Sequence, residues 1–400
     1  MNYDVLVIGA GPAGLSAAYS AARAGANVAV LEKSKEIGYP IHTSGGSWID
    51  ELKKLNIPDR FMYPIREGFF ISKGAQAVFE YEQPPSCILD VRGLYQYLAE
   101  MAAQEGAHIF VNTSVVEPVF QDNKLRGLST RSVGRTRTFH APLIIDASGA
   151  ASVMARKLGL TSGFQRVGVG AEYDLFAPNW PRGRAVFLLG SRFAPSGYAW
   201  MFPHQENRLR LGVGLIRPDS SEDPKQYLDH ILSARIFNGE LSQISRLEYH
   251  TGVIPSEPYL KRTATDGLLV VGDAGGLIST MLGEGIRFAI DIGRMAGQVA
   301  SEAVRVRRFD QKFLSQFERD WQKKYKQVFQ LGAWINRRIA RYSDEQWDRA
   351  VRLLSSFSPQ IVATLLKGDF HAKNLLKMVK THPKIFRSAL LRAMVNRSYA

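Results

Sequence analysis

The chain has one cysteine in 400 residues, Cys87, so it can form no internal disulfide and holds no dithiol couple. That fits a reducing compartment. No uncharged apolar stretch reaches the roughly 18 residues that a membrane-spanning helix requires. The opening Met1-Asn2-Tyr3-Asp4 lacks a basic region ahead of an apolar run, and does not read as a secretory leader. No repeat with a period of roughly 20–50 residues and no low-complexity tract is present. Acidic residues are scarce at one end only: residues 321–400 carry 16 Lys+Arg against 4 Asp+Glu, the other 320 carry 35 against 33. The net charge of +14 therefore belongs to the C-terminal segment. A nearly neutral body argues against an enzyme that binds nucleic acid. The length exceeds what one core needs, so two intimately packed domains are expected.

What is present begins at the N-terminus. Tyr3-Asp4-Val5-Leu6-Val7-Ile8 is a short apolar, β-branched run of the kind found in buried parallel strands. Gly9-Ala10-Gly11-Pro12-Ala13-Gly14 follows, then an alanine-rich helical stretch from Leu15 to Ala24 that Gly25 stops. A second strand, Asn27 to Leu31, ends at Glu32 and Lys33. This is a βαβ unit with G-x-G-x-x-G in its first turn. Gly9 permits the tight turn, Gly11 lets a pyrophosphate approach the backbone, and Gly14, next to Ala13, lets helix and strand pack closely. The helix N-terminus supplies free N–H groups to the phosphates. Glu32 stands where it can accept two ribose hydroxyls.

That turn does not separate NAD from FAD, but a second segment does. Asp266-Gly267-Leu268-Leu269-Val270-Val271-Gly272-Asp273 reads as a strand ending in Gly-Asp. Gly283-Glu284-Gly285-Ile286 follows, then a helix through Ala289, Ala296 and Ala300. A carboxylate at Asp273 suits a ribityl chain. The helix starting at Gly285 and Ile286 aims its positive end at the flavin pyrimidine and stabilises an anionic reduced flavin.

Together these segments resemble the hydroxylase branch of the glutathione-reductase-like flavoproteins. Asp146-Ala147-Ser148-Gly149 after Leu143-Ile144-Ile145 is similar to that branch's middle fingerprint. The resemblance implies flavin contacts for Asp146, Gly149 and Arg92, the last in Leu89-Asp90-Val91-Arg92-Gly93-Leu94, and adenine contacts for the Val115 backbone. A narrower resemblance rests on Tyr198-Ala199-Trp200-Met201-Phe202-Pro203 with Gly212-Val213-Gly214 downstream, similar to the Y-x-W-x-F-P…G-x-G signature of the geranylgeranyl reductases. It covers residues 1 to about 380 in motif order. Read from the residues alone, Tyr198, Trp200 and Phe202 alternate onto one face of a strand. There they form either an apolar wall for a prenyl chain or an ordinary sheet core. One departure stands out. Relatives carry a cysteine in the loop after the second strand, where this chain has Thr43, so Thr43 and Gly46 are taken as loop contacts to flavin and substrate. His42 beside it reads as a solvated or structural histidine.

These readings imply an α/β fold: a Rossmann-type FAD-binding domain (1–60, 85–155 and 260–320) and an inserted, mainly antiparallel β substrate domain (61–84 and 156–259). A basic helical C-terminal segment (321–400) follows. The expected reaction is reduction of carbon–carbon double bonds in a prenyl chain by hydride from reduced FAD, with Tyr198 and Glu284 as candidate proton donors. The alternatives are a flavin monooxygenase or halogenase, a net non-redox cyclase or isomerase, and a non-catalytic flavoprotein at a membrane. Gly168-Val169-Gly170 and Gly212-Val213-Gly214 lack a third glycine and read as strand, so no dedicated nicotinamide domain is expected. NADPH would dock transiently, or a ferredoxin-like protein would supply electrons. No metal site is expected. The anticipated partner is a prenylated small molecule or lipid, not nucleic acid. A cytoplasmic location is expected, with peripheral docking on the inner face of an anionic membrane through basic helices around Leu375, Leu376, Met378, Val379, Phe386, Leu390 and Met394.

Overall fold

A computed structural model describes residues 1–368 apart from 235 and 238, so the basic helical stretch expected around 375–394 lies outside the described residues. The first strand, Val5–Ile8, is buried along its whole length. It pairs in parallel with Val28–Leu31 on one side and Leu143–Asp146 on the other. The sheet continues to His108–Phe110 at one edge and through Leu268–Val270 to the short antiparallel Ala264–Thr265 at the other. Continuous apolar strands are what a sheet covered on both faces requires.

Helix Pro12–Arg23 covers one face with alanines and crosses the long helix Ile286–Val306. The crossing is close because it is glycine on alanine. A Cβ on Gly293 would stand 2.3 Å from the Ala13 carbonyl oxygen, and one on Gly297 at 2.3 Å from that of Ala17. This contact brings the N-termini of both helices to the same end of the sheet.

A seven-stranded, mainly antiparallel sheet forms the second layer. Its order is Ser245–Pro255, Val167–Phe176, Arg208–Arg217, Gly197–Pro203, Arg184–Leu189, Glu67–Ile71 and Gln76–Glu80. Both G-V-G runs lie inside its strands, as their spacing suggested. Gly46–Trp48, Ser86–Leu89 and Met62–Ile65 form a small three-stranded sheet in that order, and another spans Ser114–His140.

The expected boundary at 320/321 falls within one continuous helix, Gln311–Ile339. Its charge excess is on the exposed side, while Leu314, Phe317, Trp321 and Phe329 are buried against the parallel-sheet core. The Trp321 Nε1 donates to Thr263 Oγ1 at 3.0 Å, and Glu318 accepts from the Thr263 and Ala264 amides at the sheet edge. Two shorter helices, Asp344–Leu354 and Pro359–Lys367, follow. No helix among the described residues is long and apolar enough to cross a membrane.

Replacing Gly297 by alanine should cost about 1–3 kcal/mol, because the new methyl meets a carbonyl that cannot withdraw without separating the helices. The urea midpoint measures this, and an unchanged midpoint would mean that the crossing tolerates a wider spacing.

Candidate active site

The glycine turn is built as its spacing requires. Gly9 has φ +95°, and a Cβ there would lie 2.5 Å from the Ala147 carbonyl oxygen. A Cβ on Gly14 would lie 2.0 Å from the Gly9 carbonyl oxygen, whereas one on Gly11 meets nothing within 4 Å. Two of the glycines are thus demanded by the protein itself. Gly11 is demanded only by something that approaches from outside. Helix Pro12–Arg23 begins at Gly11 with no side-chain cap and no acid in its first turn, leaving its N–H groups to a ligand. The Glu32 carboxylate folds over this turn, accepting from the Ala10 amide at 2.7 Å and the Ser34 amide at 2.7 Å. Lys33 beside it is exposed.

The second motif supplies a matching cradle. Helix Ile286–Val306 starts at Gly285, again with neither a side-chain cap nor an acid in its first turn. Asp273 Oδ1 lies 3.5 Å from where a Gly285 Cβ would stand. Burial pushes the Asp273 carboxyl up to about 6. No group among the described residues bonds to it. A desolvated, unpartnered acceptor beside two free helix ends fits a ligand that brings hydroxyls and phosphates, and FAD has both.

Other expected cofactor contacts are placed differently. Asp146 is fully buried and its carboxylate accepts from the Ser148 amide and hydroxyl and from the Met154 and Ala155 amides. It shapes the turn and anchors the helix Val153–Lys157, and so does not face the cofactor groove as expected. Gly149, at the tip of that turn, has φ +70° and open space where a Cβ would be. Arg92 is exposed and paired with Glu36, its Nε 2.6 Å from Oε1. Val115 sits half-buried in the strand Ser114–Gln121.

Between the two layers lies a cavity of about 250 Å³. One side is the loop carrying Thr43 and Gly46, and the other is the face of Gly197–Pro203 that presents Tyr198, Trp200 and Phe202. The rings touch in sequence, Tyr198 tilted against Trp200 with centroids 5.6 Å apart and Trp200 stacked on Phe202 at 6.2 Å. Ala199 and Met201 on the opposite face enter the sheet's own core. The two G-V-G runs explain how an indole fits flat on a sheet. A Cβ on Gly212 would lie 2.3 Å from the Trp200 ring, on Gly214 at 3.2 Å and on Gly170 at 3.8 Å. The glycines form the seat of the tryptophan.

Both candidate acids lie at this cavity. The Tyr198 hydroxyl donates to the Leu282 carbonyl at 2.6 Å, and burial raises its pKa well above the ordinary phenol value. The Glu284 carboxylate accepts from the Arg287 Nε at 2.8 Å and the Ser47 hydroxyl at 3.1 Å. His42 borders the cavity, and its Nδ1 lies 2.8 Å from the Thr251 carbonyl oxygen.

The cavity floor holds a cluster that motif reading missed. Glu172, 5 % exposed, accepts from Trp200 Nε1 at 2.6 Å and from the Ser44 hydroxyl at 2.5 Å. Its other oxygen lies 3.5 Å from His250 Nδ1 and 3.9 Å from Arg210 Nε. Burial alone would raise the Glu172 pKa, but His250, Arg210, Ser44 and Trp200 together hold it below the usual value. The available signal was two acids, Glu172 and Asp174, in the middle of a buried strand, Val167–Phe176.

Gly11→Ala should leave the fold stable and empty the dinucleotide site, while Gly14→Ala should destabilise the protein itself. Flavin absorbance of the purified variants, set beside their melting temperatures, separates the two. A yellow Gly11→Ala protein would contradict the placement of the pyrophosphate.

The comparisons agree with this geometry. Residues 4–161 match the model of the FAD dependent oxidoreductases, and residues 169–253 match the geranylgeranyl reductase catalytic domain. The chain is 33% identical over 394 residues to digeranylgeranylglycerophospholipid reductase 2 of Methanothermobacter thermautotrophicus, covering 97% of this chain and 98% of that protein. It is 29% identical to the digeranylgeranylglycerophospholipid reductase of Methanocaldococcus jannaschii, over 88% of this chain and 90% of that one. A geranylgeranyl bacteriochlorophyll reductase-like protein of Thermoplasma acidophilum superposes with a TM-score of 0.85 at 24% identity, over 97% and 98% of the two chains. A flavin-dependent brominase shares the fold at a TM-score of 0.68 and 15% identity. The chain belongs to the geranylgeranyl reductase family of FAD-dependent oxidoreductases.

Proposed function

We propose that this protein saturates carbon–carbon double bonds in geranylgeranyl-type chains carried on a glycerophospholipid. The observation that carries the reading is the cavity between the Thr43–Gly46 loop and the wall of Tyr198, Trp200 and Phe202, an apolar slot beside the cradle that fits FAD. Reduced FAD, when bound, supplies hydride. The chain's own residues do the rest. The Gly9–Gly14 turn, Glu32, Asp273 and the two free helix ends hold the cofactor. The aromatic wall aligns an unfunctionalised alkene and excludes water, which suits a substrate that offers no polar handle along its length. Thr43 stands half-buried at the cavity. Cys87, the one thiol of the chain, also borders the cavity, and burial raises its pKa and keeps it protonated.

The halogenase alternative loses support, because its likeness is confined to the fold at low identity. For the electron donor, NADPH docking transiently or a ferredoxin-like protein accounts equally for the missing nicotinamide domain.

The surplus of basic residues at 321–400 supports peripheral docking on an anionic bilayer, each Lys or Arg near such a surface contributing about 1 kcal/mol. Ile339, Trp347 and Leu366 of the same segment also line the cavity, which supports a link between that segment and a lipid substrate.

The direct test is anaerobic incubation with dithionite or NADPH and a geranylgeranylated glycerophospholipid, read by mass spectrometry. Two hydrogens gained per double bond are expected, with no need for oxygen. An unchanged mass, or a product that appears only in air, would overturn the proposal. Sedimentation with anionic vesicles, weakening as salt is raised, is the expected behaviour for the docking. Full-length protein that ignores such vesicles at low salt would remove that part.

A further inference from the structure

Hydride addition to an isolated alkene needs a proton on the neighbouring carbon, and neither sequence candidate is linked to a chain of groups that would replace the proton it gives. The Tyr198 hydroxyl is committed to the Leu282 carbonyl, and Glu284 accepts from both Arg287 and Ser47. The cavity floor offers another source.

Glu172 and His250 are cross-strand partners on Val167–Phe176 and Ser245–Pro255, and both border the cavity. The two strands set their side chains side by side as a register-fixed pair. From the outside inward, the Glu248 side chain is 39% exposed and its Oε2 lies 2.7 Å from His250 Nε2. His250 Nδ1, shielded from solvent and without a hydrogen-bond partner, faces Glu172 Oε1 at 3.5 Å. Glu172 Oε2 accepts from Ser44 Oγ at 2.5 Å, and Ser44 belongs to the loop that also carries Thr43 and Gly46. A file of polar groups thus runs from solvent to the loop at the cavity, with one 3.5 Å step between His250 and Glu172 that is not hydrogen-bonded.

We propose that Glu248, His250, Glu172 and Ser44 form a proton relay from solvent to the cavity, supplying the proton that alkene reduction consumes. The proposal rests on the reductase reading above. In each cycle one alkene carbon takes a hydride from reduced FAD, which is oxidised by two electrons. The other carbon takes a proton released at Ser44, the Ser44 hydroxyl is refilled from Glu172, and Glu172 from the His250 imidazolium. Neutral His250 keeps its Nε2 proton, so a flip of the ring turns the bare nitrogen towards Glu248, which delivers a proton from solvent.

The surrounding charges suit this use. Burial lowers the His250 pKa, but Glu172 and Glu248 outweigh it and raise it above the ordinary histidine value, which favours the imidazolium. Arg210, on the next strand, faces Glu172 and also Asp174, whose carboxylate is already held by His204 at 2.8 Å and Arg208 at 2.8 Å. His42 on the opposing loop points to the Thr251 carbonyl. Trp200, bonded to the same Glu172 oxygen as Ser44, ties the relay to the wall that holds the chain. Ser44 is the catalytic end, and Glu172 and His250 act through it.

The test uses full-length, FAD-loaded protein in two arms. In the first, nitrogen-15 histidine spectra are followed with pH and His250 is assigned by its loss in His250→Gln. The expected midpoint lies above that of a free histidine and falls by about one unit or more in Glu172→Gln. In the second, dithionite-reduced enzyme is mixed anaerobically with a geranylgeranylated glycerophospholipid and flavin reoxidation is timed. His250→Gln should slow it about 100-fold while flavin content and lipid affinity, read by tryptophan fluorescence, stay at the wild-type level. The wild-type rate should also fall as pH rises through the His250 midpoint, a limb that His250→Gln lacks. An unmoved His250 in Glu172→Gln, or His250→Gln with the wild-type rate and limb, overturns the relay alone. A wild-type enzyme that no prenyl lipid reoxidises overturns the reductase reading and the relay with it.

Discussion

The buried Arg210 guanidinium holds the two layers of this protein in register. It is 1 % exposed, and its Nη1 donates to the Ser44 carbonyl at 2.7 Å and lies 3.3 Å from that of Leu89, while Nε faces Glu172 and Asp174 at 3.9 Å each. It therefore ties the Thr43–Gly46 loop and the small sheet to the strands that floor the cavity. Such an arrangement is intolerant of partial loss. Removing one partner of a buried charge cluster leaves the others desolvated and uncompensated, at a cost of about 3–5 kcal/mol. Gly252 adds a steric condition to the electrostatic one: a Cβ there would sit 2.5 Å from the His42 carbonyl oxygen, so the loop can close on the strand only over a glycine.

The cofactor cradle depends on a second constraint of the same kind. Helices Pro12–Arg23 and Ile286–Val306 touch backbone to backbone through Gly293 and Gly297. That contact sets both uncapped N-termini at one end of the parallel sheet, with Asp273 left unpartnered nearby. Two positive helix ends and a desolvated acceptor make a site tuned to one anionic, hydroxyl-rich ligand. The site owes this to unsatisfied backbone groups more than to charged side chains.

Much of this was legible in the sequence because the deciding spacings are short. Gly9, Gly11 and Gly14 announce the turn, Gly272-Asp273 and Gly285 announce the second cradle, and the alternation of Tyr198, Trp200 and Phe202 places three rings on one face. What escaped depends on pairing across distant strands. The use of Gly170, Gly212 and Gly214 as a seat for Trp200 follows from strand register. So does the meeting of Glu172 with His250. Asp146 misled because a carboxylate at a strand end serves equally to bind a cofactor or to anchor the next helix, and here the Met154 and Ala155 amides take it. The boundary drawn at 321 followed charge, while the helix there follows its buried face of Leu314, Phe317 and Trp321.

The central claim is that a prenyl chain lies in the slot between the Thr43 loop and the aromatic strand. Photo-crosslinking tests it most directly. An FAD-loaded sample is irradiated with a geranylgeranylated lipid that carries a diazirine within its chain, and the labelled peptides are sequenced by mass spectrometry. The account predicts label on residues 197–203 and on the 280–286 segment that faces them. Label confined to the outer surface, or to the depression around Arg66 and Arg208 on the far side of Arg210, would contradict it.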